Sequence, residues 1–196
     1  MGQYTCNTWY YSPYPKEYHH IDTLYICEFC LNFYVDTDGL IRHSRKCRLR
    51  HPPGDEIYRD GNVSVFEVDG KLQPHYCENL CWHSKLFLDH KTLYYNCDIF
   101  LFYVLTEFDE RGYHVMGYFS KEKDFESGGN NLSCILVFPF QQRKGYGKFL
   151  IAFSYELCLL EGKEGTPERP LSDLGHKSYF SWWTWRILNL LLEYRG

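Results

Sequence analysis

Between positions 63 and 160 the chain alternates short apolar runs with turns rich in glycine and acidic residues, and these runs set the expected order of elements. Positions 63–73 (VSVFEVDGKLQ) alternate apolar and polar residues and then reach Asp69-Gly70, which predicts a hairpin turning there. Positions 77–88 predict a helix with Leu80, Phe87 and Leu88 facing inward. Positions 98–105 and 113–120 read as two strands joined by a turn at 109–112, a second antiparallel hairpin. Positions 120–131 read as a polar loop. The stretch 132–156 (LSCILVFPFQQRKGYGKFLIAFSYE) is an apolar run closed by Pro139, a polar turn with two glycines, and an amphipathic segment continuing to about Leu160. A last helix is expected over about 178–193, with three tryptophans near its start. Residues 4–20, rich in Tyr, Trp and Pro, read as extended chain laid over a core, and 51–61 (HPPGDEIYRDG) as a turn-rich connector. Hairpins followed by strand, glycine turn and helix predict an α+β (mixed α/β) fold.

Composition narrows this picture. With 196 residues the chain can bury a real core, and 19% aromatic residues argue for folded protein. The net charge of −4 gives no global basic field for nucleic acid, so any such contact must come from a local patch. The longest apolar run, 99–105, is far too short to span a bilayer, and no membrane partner is expected. The N-terminus is aromatic and polar, without the apolar stretch of a signal peptide, so the nine cysteines are expected to be reduced thiols in an intracellular protein.

Four of the metal-ligating residues have informative spacing. Cys27 and Cys30 bracket a tight turn, and after twelve residues His43 and Cys47 stand four apart. Asp36 or Thr37 can cap a helix running to about Cys47, placing His43 and Cys47 on one face. This C2HC spacing suits tetrahedral zinc, and four protein ligands make such a Zn2+ structural. Arg42, Arg45, Lys46, Arg48 and Arg50 cluster on and after that helix, either as a solvated face or as phosphate contacts to DNA. Cys77 and Cys81 read as small buried side chains rather than as a second metal site with His75 and His83.

In the central stretch, the strand-to-helix turn leaves backbone N–H groups aimed at an anion, a pyrophosphate being the natural occupant. A Walker loop would need Gly at 142 and Ser or Thr at 149, where Gln142 and Phe149 stand, and a dinucleotide fingerprint would need Gly in place of Leu150. What remains, Gln142-Arg143-Lys144-Gly145-Tyr146-Gly147-Lys148, resembles the acetyl-coenzyme A loop of N-acetyltransferases. Gly145 and Gly147 let backbone close on the pyrophosphate, while Arg143, Lys144 and Lys148 add charge.

Further segments carry a wider resemblance. LYICEFCLNF, HPPGDEIYR, VFEVDG, LFLDHKTLYY, FLFY, GYFSKEK, CILVFP, QRKGYGKFLIAFSYEL and TPERPLSDLG together resemble the catalytic domain of MYST-family histone lysine acetyltransferases, over about residues 4–193. FSYEL and EGKEGTPERPLSDLG are most similar to the branch acting on histone four and histone two-A tails within nucleosome acetyltransferase complexes. The resemblance implies an N-acetyltransferase-like central sheet with flanking helices. It divides the chain into an N-terminal segment with a ββα C2HC zinc finger (1–60) and an acetyltransferase core (61–196). It implies acetyl-CoA as cosubstrate, histone tails or nucleosomes as partners, and a nuclear location.

Roles follow residue by residue. Glu168 in TPERPLSDLG matches the general base, which takes the proton a lysine ammonium must lose before attacking a thioester. A carboxylate in a partly apolar pocket suits that task. Cys134 matches the active-site cysteine, as acetyl-enzyme or as site lining in direct transfer, and direct transfer is favoured because no histidine stands in an evident base position beside it. Ile135, Leu136 and Val137 match backbone partners of the acetyl and pantetheine arm, residues 142–148 match the pyrophosphate loop, and Ser172 and Ser181 match further cofactor contacts. Lys91 in DHKTLYY matches the autoacetylated lysine.

The chain departs from the family pattern at Pro139-Phe140-Gln141, at Gly128-Gly129, at Ile99, at Trp82-His83 and in the tryptophan-rich 181–185, which weakens the match of Ser181. None of these touches Glu168, Cys134 or the glycine turn. Peptide selectivity is what they put in question. The alternative is a non-catalytic zinc-finger scaffold on chromatin, which would need neither the glycine turn nor Glu168.

Overall fold

The computed structural model describes residues 1–89, 91 and 96–194; within DHKTLYY, positions 90 and 92–95 lie outside the described residues. Five strands form one antiparallel sheet in the order β3 (Asp55–Asp60), β4 (Val63–Asp69), β5 (Phe100–Asp109), β6 (Gly112–Glu122) and β8 (Cys134–Val137). Successive side chains on a strand point to opposite faces. In β5 and β6 most positions, on both faces, are buried, so both faces need covering. On one face Phe66, Val68, Phe102, Val104 and Tyr118 pack with Tyr76, Cys77 and Leu80 of helix α2 (Pro74–Lys85). On the other, Val65, Tyr103, Leu105 and Phe119 pack with Leu150 of helix α3 (Tyr146–Leu160), flanked by Phe149, Phe153 and Leu157. The expected mixed α/β sheet with flanking helices is what the alternation builds.

Several boundaries differ from the sequence reading. The first hairpin turns at Gly61-Asn62, with Gly61 at φ 57°, and not at Asp69-Gly70. Residues 55–60 are therefore a strand rather than a connector. DEIYRD hides its strand character because it is an edge strand, exposed at most positions and charged on both faces. The expected division at 60/61 falls between two paired strands. Asp69 accepts hydrogen bonds from the N–H groups of Lys71 (2.7 Å) and Leu72 (3.3 Å), turning the chain into α2, which starts at Pro74 and ends at Lys85, earlier at both ends than expected. The polar loop is shorter than expected, because β6 runs to Glu122 and β7 spans Gly129–Leu132. Helix α4 (Asp173–Glu193) begins earlier than expected, capped by the Ser172 hydroxyl, which accepts from the Gly175 N–H at 3.1 Å. Its tryptophans dock it on α3: Trp182 stacks on Tyr155 at 4.7 Å, and Trp183 Nε1–H donates to the Tyr155 hydroxyl at 2.9 Å. No described helix is long and apolar enough to cross a membrane.

Residues 4–20 lie as irregular chain on the core, with one short 3-10 turn at Lys16–Tyr18. The N–H groups of Trp9 and Tyr10 both donate to the Leu86 carbonyl, at 2.9 and 3.0 Å. Tyr14 is buried, and its hydroxyl donates to His83 Nδ1 at 2.5 Å. His83 Nε2–H donates to the Leu31 carbonyl at 2.7 Å, since a carbonyl can only accept. One neutral imidazole thus joins the N-terminal segment, α2 and the loop holding Cys27 and Cys30. Burial pulls its pKa down to about 4.

Two outcomes are expected. The folded His83 pKa lies below its unfolded value of about 6.5, so the unfolded chain binds more protons between the two values, and stability is lost as pH falls through that window, by up to about 3 kcal/mol. Urea midpoints of wild type and His83→Gln between pH 7 and 5 measure this, and the variant's profile should be flatter. At Gly117 a Cβ would lie 2.4 Å from the Leu136 carbonyl oxygen, so Gly117→Ala must push β8 away from β6. A cost of about 1–3 kcal/mol is expected in the same urea measurement.

Candidate active site

The N-terminal module is built from β1 (Tyr25–Ile26), β2 (Phe33–Tyr34) and α1 (Thr37–Ser44). Between the strands Leu31 takes a left-handed conformation, φ 63°, and its N–H donates to the Cys27 carbonyl at 2.9 Å, curling the chain so that Cys27 and Cys30 face the same point. Asp36 caps α1, accepting from the Gly39 N–H at 2.6 Å. The helix ends at Ser44, so Cys47 lies beyond it rather than on its face; its N–H still donates to the His43 carbonyl at 2.8 Å. The ligand atoms of Cys27, Cys30, His43 and Cys47 all lie within 4.8 Å of one another, with Cys30 Sγ and His43 Nε2 3.1 Å apart. A tetrahedral zinc site separates its ligand atoms by roughly 3.5–3.8 Å, so three thiolates and an imidazole at these positions fit the ion and close its coordination.

Of the basic residues beside this module, Arg42, Arg45, Lys46 and Arg48 are exposed. Arg50 is committed elsewhere: it donates to the carbonyls of Cys47 (3.0 Å) and Leu49 (2.7 Å) and lies 5.1 Å above the Phe29 ring.

A cavity of about 130 Å³ opens where β6, β8 and the start of α4 meet, and Lys91, Cys134, Ile135, Glu168 and Ser172 all line it. A short parallel pairing places Glu168 there. Strand β9 (Gly165–Pro167) runs beside β7, and the Glu168 N–H donates to the Leu132 carbonyl at 2.8 Å, two residues before Cys134. From the other side the Ser120 hydroxyl accepts the Cys134 N–H at 3.2 Å. Glu168 is exposed at the mouth, beside Ile135, Pro170 and Leu171. Lys91 Nζ donates to Cys134 Sγ at 3.5 Å. Burial works to lower the Lys91 pKa, but Tyr118, Cys81 and Cys134 outweigh it and hold it well above its ordinary value.

Beyond the cavity, β8 leads to the glycine turn. β8 pairs with β6 along one edge and is the last strand of its sheet, with no strand among the described residues on its other edge. Ile135 lines the cavity, whereas the Leu136 side chain is buried in the core on the α2 side. Gln142 Nε2–H donates to the Val137 carbonyl at 3.0 Å, stitching the turn to the strand end. At the start of α3, Gly145 has φ 95°, no side chain caps the first turn, and no acidic residue stands in it. A Cβ on Gly145 or Gly147 would meet nothing within 4 Å, so the approach to the backbone is open. Arg143 is held left-handed at φ 65°, a conformation costing an ordinary residue of order 1–3 kcal/mol. Arg143 and Lys148 are exposed beside the turn. Lys144 Nζ donates to Gln141 Oε1 at 2.6 Å and the Tyr146 hydroxyl to Glu107. An open strand edge running into an uncapped, acid-free helix start fits an acyl-pantetheine arm ending in a pyrophosphate.

Ser181 is not brought to this site: it is exposed on α4 and does not line the cavity. Ser120, Ser133, Arg169 and Pro170 line it and were missed. Ser120 could have been found, since it sits opposite Cys134 if the two apolar runs are paired. The others carry no local signal.

Residues 51–196 match the model of the MOZ/SAS family, and residues 1–47 that of the MYST family zinc finger domain. Histone acetyltransferase of the MYST family 2 from Arabidopsis thaliana is 61% identical over 196 residues, covering 100% of this chain and 44% of that protein. Histone acetyltransferase esa-1 from Neurospora crassa is 56% identical over 194 residues, covering 99% of this chain and 38% of its own length. Histone acetyltransferase ESA1 from Mycosarcoma maydis is 57% identical over 193 residues, 98% of this chain and 34% of its own. The chain thus spans less than half the length of these relatives. With the two family models matching 1–47 and 51–196 in succession, the chain belongs to the MOZ/SAS family of MYST proteins.

Proposed function

We propose that the chain is a histone lysine acetyltransferase that uses acetyl-CoA. The observation that carries this reading is the cavity shared by Glu168 and Cys134, which stands on the same strand β8 that leads on to the uncapped start of α3. The substrate lysine enters as an ammonium, and the exposed Glu168 carboxylate at the mouth takes its proton. The free amine attacks the thioester carbonyl, the C–N bond forms, and the C–S bond breaks as the coenzyme A thiolate leaves. Residues 135–137 orient the acyl arm through backbone groups, and 142–148 hold the pyrophosphate.

Direct transfer is favoured over an acetyl-cysteine. Among the described residues no histidine lines the cavity, and the side-chain partner of Cys134 is Lys91, an ammonium that donates a proton and cannot take one. Lys91, which lines the same cavity, is the proposed autoacetylated lysine. Histone four and histone two-A tails are the proposed substrates, within a nuclear nucleosome acetyltransferase complex. Arg42, Arg45, Lys46 and Arg48 are the proposed DNA contacts, exposed on the zinc module, while Arg50 holds that module's exit. Ser172 contributes through the start of α4, and Ser181 stands outside the proposed site.

Acetyl transfer to a histone-tail peptide tests this. Glu168→Gln is expected to lower kcat by at least about 100-fold, the range of a lost general base, with little change in the peptide KM. Cys134→Ala is expected to keep most of the activity. Full activity in Glu168→Gln would remove Glu168 from the mechanism, and no transfer by the wild type would favour the scaffold reading.

A further inference from the structure

Strand β8 starts irregularly, and one residue of β6 accounts for it. Cys134 stands opposite Ser120, as Leu136 stands opposite Tyr118. The pairing continues past the end of β8, where the Phe138 N–H donates to the Met116 carbonyl at 3.1 Å. In this phase the N–H groups of 134, 136 and 138 point toward β6, and those of Ile135 and Val137 point to the opposite edge. The regular acceptor for the Cys134 N–H is the Ser120 carbonyl, but the Ser133 N–H occupies it at 2.8 Å. Cys134 donates instead to the Ser120 hydroxyl at 3.2 Å. Ser120 thus receives two successive N–H groups, one on its carbonyl and one on its side chain, as a residue facing a β-bulge does. It is buried, lines the cavity and is held from behind by pairing with Phe102 of β5.

We propose that Ser120 is a positioning residue for acetyl transfer: its hydroxyl holds Cys134 in register so that the Ile135 N–H faces the acyl carbonyl. The inference rests on the acetyltransferase reading above and adds a residue to it. Ser120 acts through the backbone of β8 and takes no proton in the reaction. As nitrogen attacks the thioester, the carbonyl oxygen gains negative charge, and a backbone N–H fixed toward it beforehand stabilises that charge without reorganising. With the hydroxyl removed, the Cys134 N–H must compete with that of Ser133 for one carbonyl. Either one N–H stays unpaired or the peptide rotates, and both loosen the aim of the next N–H, at Ile135. Because the backbone and not the thiol is being positioned, losing the Ser120 hydroxyl costs more activity than losing the Cys134 sulfur.

Residue-resolved amide exchange and steady-state transfer to a histone-tail peptide test this on the zinc-loaded chain, in wild type, Ser120→Ala and Ser120→Thr. Exchange is read without coenzyme A. In Ser120→Ala the Cys134 amide is expected to exchange at least about 10-fold faster, the scale of one lost hydrogen bond, while the Phe138 amide keeps its protection. The same variant is expected to lower kcat by about 10- to 100-fold, more than Cys134→Ala does, with the peptide KM and the affinity for coenzyme A nearly unchanged. Ser120→Thr keeps the acceptor and should recover both properties; the alanine variant alone decides the matter if threonine does not fit. Wild-type kcat in Ser120→Ala, or an unchanged Cys134 amide, would overturn the proposal. So would loss of protection throughout β6 and β8, which marks a merely structural role. No transfer by the wild type, with the Cys134 amide behaving as expected, would instead remove the acetyltransferase reading and the proposal with it.

Discussion

Strand β8 is hydrogen-bonded along one edge, to β6, and along the other to no strand among the described residues. That half-paired strand is the constraint on which the candidate site depends. A buried backbone group without a partner costs free energy, so an open edge inside a fold persists only where something else approaches it. Here β7 and β9 pair with each other instead of closing against β8, which keeps the gap and delivers Glu168 to its far side. The same strand continues through a 3-10 turn at Pro139–Gln141 into the helix whose first turn is left uncapped.

The elements around this gap are held by contacts that allow little drift. Gly117 brings β6 within backbone contact of β8, and Gly70 does the same for the residue beside the cavity wall. The His83 imidazole spans three segments through two hydrogen bonds, so the zinc module is fastened to the sheet's α2 face. At a second point Glu28, between two zinc ligands, accepts from both Arg111 and His114 of the β5–β6 hairpin. The finger therefore acts as a brace on one face of the sheet, and the cavity draws its walls from the elements it braces.

What was legible in the sequence was what carries local periodicity or fixed spacing. The apolar runs of β5 and β6, the strand–turn–helix of 132–160 and the C2HC spacing all appear in the structure at those places. The edge strand DEIYRD was misread because a strand that buries neither face shows no apolar alternation. Asp69-Gly70 was misread because an acidic residue before glycine serves equally to start a helix. The β7–β9 pairing was invisible: strands of four and three residues, parallel and mostly polar, leave no pattern. Glu168 could therefore be singled out through family resemblance and not through its surroundings. The tryptophans of α4, read as a departure, pack the helix onto α3.

The central claim, that coenzyme A spans the free edge of β8 and the start of α3, is tested most directly by amide hydrogen exchange with and without coenzyme A. Slowed exchange confined to 134–137 and 146–148, with the zinc module unchanged, is the predicted result. Binding that leaves both segments as fast as in the free protein, or protects a different surface, would contradict it.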